Sequence, residues 1–95
     1  MHYVIHCLDH AGAVAKRLEH YEAHKAYLGA ATMKTVISGP LMADDETTMI
    51  GSCFVVEAGS LADVEAFNQA DPFNKVGLWA TISIRPFLKR VDNRT

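Results

Sequence analysis

Met49-Ile50-Gly51-Ser52-Cys53-Phe54-Val55-Val56-Glu57 is the stretch on which the fold turns. Apolar side chains occupy both of its alternating faces, as in a strand covered on two sides, so it belongs in the middle of a sheet. The period then changes. Ser60 stands as an N-cap with Asp63 three residues on, and Leu61, Val64 and Phe67 have the spacing of a short helix. That helix runs into Asn68-Gln69-Ala70-Asp71-Pro72-Phe73 and ends at Asp71, because a residue before proline is pushed out of the α region. Phe73 to Gly77 reads as a compact connector, and Leu78 to Leu88 as the last strand. Ala80, Ile82 and Ile84 give that strand an apolar face, while Trp79, Thr81, Ser83 and Arg85 line the other. A mixed aromatic and hydroxyl face suits a ligand cavity or a wet interface better than a dry core. Lys89 to Thr95 is a polar tail.

Upstream of the central strand, Ala43 to Thr48 is an acidic, solvated loop. Lys34 to Met42 before it reads as a strand whose Ser38-Gly39-Pro40-Leu41 end belongs at an edge or a bulge, since proline cannot donate to a ladder. From Ala13 to about Ala31 the chain is rich in helix formers, with Val14, Leu18, Tyr21 and Leu28 on one apolar stripe. At about 100° per residue, Arg17 and His24 fall about 40° to 60° from the Tyr21 centre line, at the rim of the buried face, and His20 lies farther toward solvent. Tyr3 to Leu8 is a first strand, Tyr3, Ile5 and Cys7 on one face and His2, Val4, His6 and Leu8 on the other. The second face is itself substantially apolar, a sign that both sides of the sheet need cover.

Strand, helix, strand, strand, helix, strand is the ferredoxin-like βαββαβ order: an α+β fold with two helices on one face of a four-stranded antiparallel sheet. One domain is expected over residues 1–95. The uncovered, partly apolar sheet face leads to the expectation of a homodimer packed sheet to sheet as a dimeric α+β barrel, since a large exposed apolar patch is rare on a soluble monomer. Nine Lys and Arg against 11 Asp and Glu give a net charge of −2 without a long run of either sign, which speaks against a nucleic-acid surface. No apolar run approaches the roughly 20 residues of a membrane span. A soluble cytoplasmic protein is expected. Cys7 and Cys53 lack CxxC spacing and read as reduced, strand-borne thiols. His20 and His24, and likewise His2 and His6, have spacings that can share a metal, but no HExxH signature or third ligand accompanies them, so neither a metal nor another cofactor is expected.

His24 and Asp71 are the residues in which acid–base chemistry concentrates. In this topology the first helix and the connection after the second both border the sheet, so the two can face one cleft, where an imidazole oriented by a carboxylate exchanges protons with a ligand. Asp-Pro is also ordinary turn chemistry, and a paired histidine also serves structure. The strand hydroxyls Ser38, Ser52, Thr81 and Ser83 are more often structural than ligand contacts.

Tyr3-Val4-Ile5, Lys16-Arg17-Leu18, His24 with Tyr27-Leu28, Ser38-Gly39-Pro40-Leu41, Gly51-Ser52, Glu57, Ala70-Asp71-Pro72-Phe73, Gly77-Leu78 and Ile84-Arg85-Pro86-Phe87, in this order and spacing, resemble the YCII-related (YciI-like) family. The resemblance covers nearly the whole chain. It implies a ferredoxin-like fold, dimerisation and an active site centred on a His/Asp pair that maps onto His24 and Asp71. The family includes a dehydrochlorinase acting on a chlorinated hydroxyhydroquinone, which implies lyase-type proton abstraction from a small phenolic or enolisable molecule. Glu22-Ala23 stands where many members have Arg-Pro, leaving Arg17 as the nearer binding cation. Arg17, Ser38, Gly39 and Pro40 are thus the substrate-binding candidates. The alternative function is a non-catalytic small-molecule-binding or accessory module with the same pocket.

Overall fold

In the computed structural model, which describes residues 1–94, the hydrophobic alternation sets out seven elements. They are β1 (His2–Asp9), α1 (Val14–Ala30), β2 (Lys34–Met42), β3 (Met49–Glu57), α2 (Leu61–Gln69), α3 (Pro72–Lys75) and β4 (Trp79–Phe87). The strands form one antiparallel sheet in the order β2-β3-β1-β4. β3 is therefore internal, as its two apolar faces require, and Pro40 lies on the edge strand β2, opposite Ser52, the kind of strand on which proline is tolerated. The α+β, ferredoxin-like arrangement is as the element order predicts, with α3 as an added turn of helix.

The core lies between sheet and helices. Tyr3, Ile5 and Cys7 of β1 and Phe54 and Val56 of β3 pack there with Val64 and Phe67 of α2, Phe73 of α3, and Leu78 and Trp79. Each fully buried large side chain of this set contributes roughly 1.5–3 kcal/mol relative to exposure. Gly51 permits close approach of β3 to β1, because a Cβ at that position would collide with the Cys7 carbonyl oxygen. Gly77 follows α3 at φ +69°, a left-handed conformation that suits glycine.

Three local readings are corrected. The compact connector expected over Phe73 to Gly77 is largely helical: Phe73 to Lys75 fall in α3, whose first residue Pro72 has its φ set for helix and whose N-cap Asp71 accepts the Phe73 N–H with its side chain. Trp79 does not share a face with Thr81, Ser83 and Arg85. The register of β1 against β4 slips between Leu8 and Asp9, so Trp79 turns under the helices, against Phe54 and Phe73. On α1, Val14 and Leu18 are 37% and 55% exposed, and the residues buried from that helix are Arg17 and His24.

Candidate active site

Helix α1 presents Arg17 and His24 two turns apart, so both meet the sheet on one side. Arg17 is 1% exposed, a burial that a permanently charged side chain tolerates only when its donors are met. Its Nε donates to Asp9 Oδ2 at 2.7 Å, and its Nη2 to Asp9 Oδ1 and Ser52 Oγ, each at 2.9 Å. The bidentate pair ties α1 to the end of β1, and Ser52 ties it to β3. The guanidinium also lies 4.7 Å from the centre of the Phe73 ring. Nη1 is the guanidinium nitrogen left without a protein partner among the described residues.

His24 is 6% exposed, deeper than the rim position its helical phase implies. Its Nδ1 lies 2.9 Å from Oδ1 of the fully buried Asp71, and the same oxygen accepts the Phe73 N–H at 2.9 Å. Asp71 thus caps α3 and holds the histidine with one atom. Because that oxygen acts as acceptor, the hydrogen of the bond sits on Nδ1, which leaves Nε2 of a neutral ring with a free lone pair. The imidazole stacks on Phe73 (centroids 4.1 Å apart, 14° between planes) and meets the Phe54 ring edgewise. Nε2 bonds no protein atom among the described residues. Nor is it sealed in the interior, where, among the described residues, the one orphaned side-chain polar atom is Trp79 Nε1. His24 is also one of the residues that line the cleft described next.

That cleft, of about 200 Å³, opens between α1 and the edge strand β2. Arg17, Tyr21, His24, Lys25 and Leu28 form one wall, Ser38, Gly39 and Pro40 the other, and Ser52 and Phe54 the floor. Arg17, His24, Ser38, Gly39 and Pro40 therefore surround one hollow, while Asp71 stands behind His24 and does not line it. Sequence reasoning missed Asp9, the partner that makes a buried Arg17 tolerable; an acidic residue at a strand end ahead of a buried-face arginine was the available signal. It also missed the walls made by Tyr21 and Lys25.

Away from the cleft, His20 pairs with Glu19 at 3.9 Å on the outer face of α1. Among the described residues no three His, Cys, Asp or Glu side chains converge as a metal site would need. Cys7 and Cys53 are free thiols. Burial pushes the Cys7 thiol up to about 12, partly offset by its contact with the Asn68 amide. Tyr27, which donates to the Phe67 carbonyl at 2.7 Å, is also pushed above its ordinary value, by burial and then by the Asp71 charge.

The sequence pattern of the YCII-related domain matches residues 1–88. Protein YciI of Escherichia coli O6:H1 (strain CFT073) is 32% identical over 96 residues, covering 94% of this chain and 98% of its own, and Protein YciI of Shigella flexneri matches to the same extent. Among solved structures, 5-chloro-2-hydroxyhydroquinone dehydrochlorinase (TftG) from Burkholderia phenoliruptrix AC1100, in complex with 2,5-dihydroxybenzoquinone, superposes with a TM-score of 0.84. It has 33% sequence identity over 93% of this chain and 94% of that one.

Proposed function

The chain belongs to the YCII-related domain family, and from that membership and the cleft around His24 we propose a small enzyme that performs general acid–base chemistry on a single-ring phenolic or enolisable molecule. The observation that carries the proposal is the buried His24–Asp71 bond of 2.9 Å, made through Nδ1 of an imidazole whose residue lines the cleft. In this reading the ligand reacts from its keto tautomer, in which chlorine sits on an sp3 carbon. Nε2 takes the proton of an acidic hydroxyl or carbon acid, and the released electron pair forms a new C=O or C=C bond as the C–Cl bond breaks and chloride leaves. Asp71 steadies the imidazolium until it returns the proton to solvent. Dehydrochlorination is the model step because a relative of similar length and fold is a dehydrochlorinase. The size of the hollow supports a small ligand, since about 150 Å³ is enough to hold benzene. Arg17, through Nη1, and Ser38, Gly39 and Pro40 on the facing wall are the groups assigned to hold the ring.

The active species in this reading is a cytoplasmic homodimer. Leu8, Ile37 and Phe87, on the sheet face away from the helices, are 38%, 56% and 40% exposed, and a second copy packed there covers them.

The test is a screen of chlorinated quinols and enolisable acids against the purified protein, following halide release and product absorbance. Turnover of at least one single-ring compound is expected. Saturable binding across the set with no turnover of any member would move the reading to a non-catalytic binding module.

A further inference from the structure

The lining of the cleft has a one-sided electrostatic character. Arg17, His24 and Lys25 reach it with the hydroxyl-bearing Ser38, Ser52 and Tyr21, and among the described residues no carboxylate lines it. This stands out in a chain whose net charge is −2. Two buried carboxylates, Asp9 and Asp71, bond Arg17 and His24 and are spent on them. The three cationic or protonatable groups differ in how far they are compensated. Arg17 is paired within the fold by a buried carboxylate, so its charge is largely answered before any ligand arrives. Lys25 is answered only from outside, by Glu22 at 3.1 Å, whose side chain is 85% exposed and does not line the cleft. Such an exposed pair exchanges readily for a better partner. The Lys25 ammonium is nonetheless positioned, lying 4.9 Å from the centre of the Tyr21 ring at the mouth of the same hollow.

We propose that the cleft selects the oxyanion form of a single-ring ligand and that Lys25, seated on Tyr21, is the residue that reads the negative charge at its mouth. The inference rests on the reading of this cleft as a small-molecule site, and it adds the charge of the ligand and the group that recognises it. A low-dielectric hollow walled by positive and hydrogen-donating groups concentrates anions relative to solvent. An ionised ring hydroxyl or a ring carboxylate both have the required chemistry. Lys25 acts here on specificity, as a flexible point charge, and takes no part in the proton transfer assigned to His24.

The experiment measures equilibrium binding of two probes to the full chain, by calorimetry or Trp79 fluorescence. One probe is 2,5-dihydroxybenzoquinone, a vinylogous acid ionised at neutral pH; the other is hydroquinone, a neutral ring of nearly the same size. Benzoate serves as a third arm, separating a ring carboxylate from a ring oxyanion. The wild-type protein is expected to prefer an anionic probe to hydroquinone by about tenfold or more, with the preference shrinking as salt rises. Lys25→Gln is expected to lose most of that preference while binding hydroquinone as before, and Lys25→Arg to restore it. Equal anion preference in wild type and Lys25→Gln overturns the role of Lys25, and absence of anion preference in the wild type overturns the whole inference. Neither result touches the acid–base reading, which is decided by turnover. Conversely, a Lys25-dependent anion preference without turnover of any compound leaves the inference standing and removes the enzyme.

Discussion

One oxygen atom, Asp71 Oδ1, has two duties, accepting the Phe73 N–H and the His24 imidazole. Substitution separates them. Asp71→Asn keeps an amide oxygen for both bonds and removes the charge that steadies an imidazolium, so denaturant stability is expected to change little while turnover falls sharply. Asp71→Ala removes both bonds and strands a buried N–H and ring nitrogen, at a cost of roughly 1–3 kcal/mol; urea titrations beside steady-state rates distinguish the two cases. Cys7 gives a second prediction at this scale. Its thiol titrates from 9.0 in the unfolded chain but only at about 12 in the fold. Between those values the native state binds more protons than the unfolded one, so stability falls as pH rises through that window and is unaffected by this group below it. Tyr27, pushed in the same direction, adds to the slope at higher pH. From neutral pH upward, urea midpoints are expected to hold until about pH 9 and to decline above it, with Cys7→Ala declining less steeply.

Among the elements, the strands were the most legible, because period-two alternation and proline placement act locally. The bounds of β2 and β3 and the cap of α2 by Ser60 are those the residues predict. Helix α1 shows why the rest was hidden. Its apolar spacing points to Val14 and Leu18, yet the face it buries contains Arg17 and His24. Those two are stable there only because β1, β3 and the turn before α3 supply Asp9, Ser52 and Asp71, and no pattern within one helix records partners that arrive from elsewhere. The same limit applies to Trp79, whose face is reversed by a register slip in the β1–β4 pairing. The candidate residues on α1 and β2 could be named from the sequence, but the hollow between them needed the fold. Gly51 offers a test of how closely these strands must approach. An added methyl would strike the Cys7 carbonyl backbone, which cannot swing aside as a side chain can. Gly51→Ala is expected to destabilise the protein by roughly 1–3 kcal/mol in urea or thermal unfolding.

For the whole molecule, the helices account for one face of the sheet, and the other still carries exposed Leu8, Ile37 and Phe87. In the homodimer reading a second copy covers them, burying about 800 Å² on each partner as specific interfaces do. Sedimentation velocity is expected to give a dimer, and Ile37→Asp, which places a charge in that face, to shift it toward monomer. A wild-type protein that remains monomeric at all accessible concentrations would contradict this part of the proposal. In the proposed reading, with helices on one side and a partner on the other, the cleft between α1 and β2 is where Nε2 of His24 would meet a ligand. The most direct measurement is kcat at saturating substrate for wild type and His24→Gln, on whichever quinol or enol the screen identifies, with circular dichroism to verify the fold. A loss of about 10²–10⁴-fold with substrate binding retained is the expected result. A folded His24→Gln protein turning over at the wild-type rate would contradict the assignment of His24 as the acid–base group.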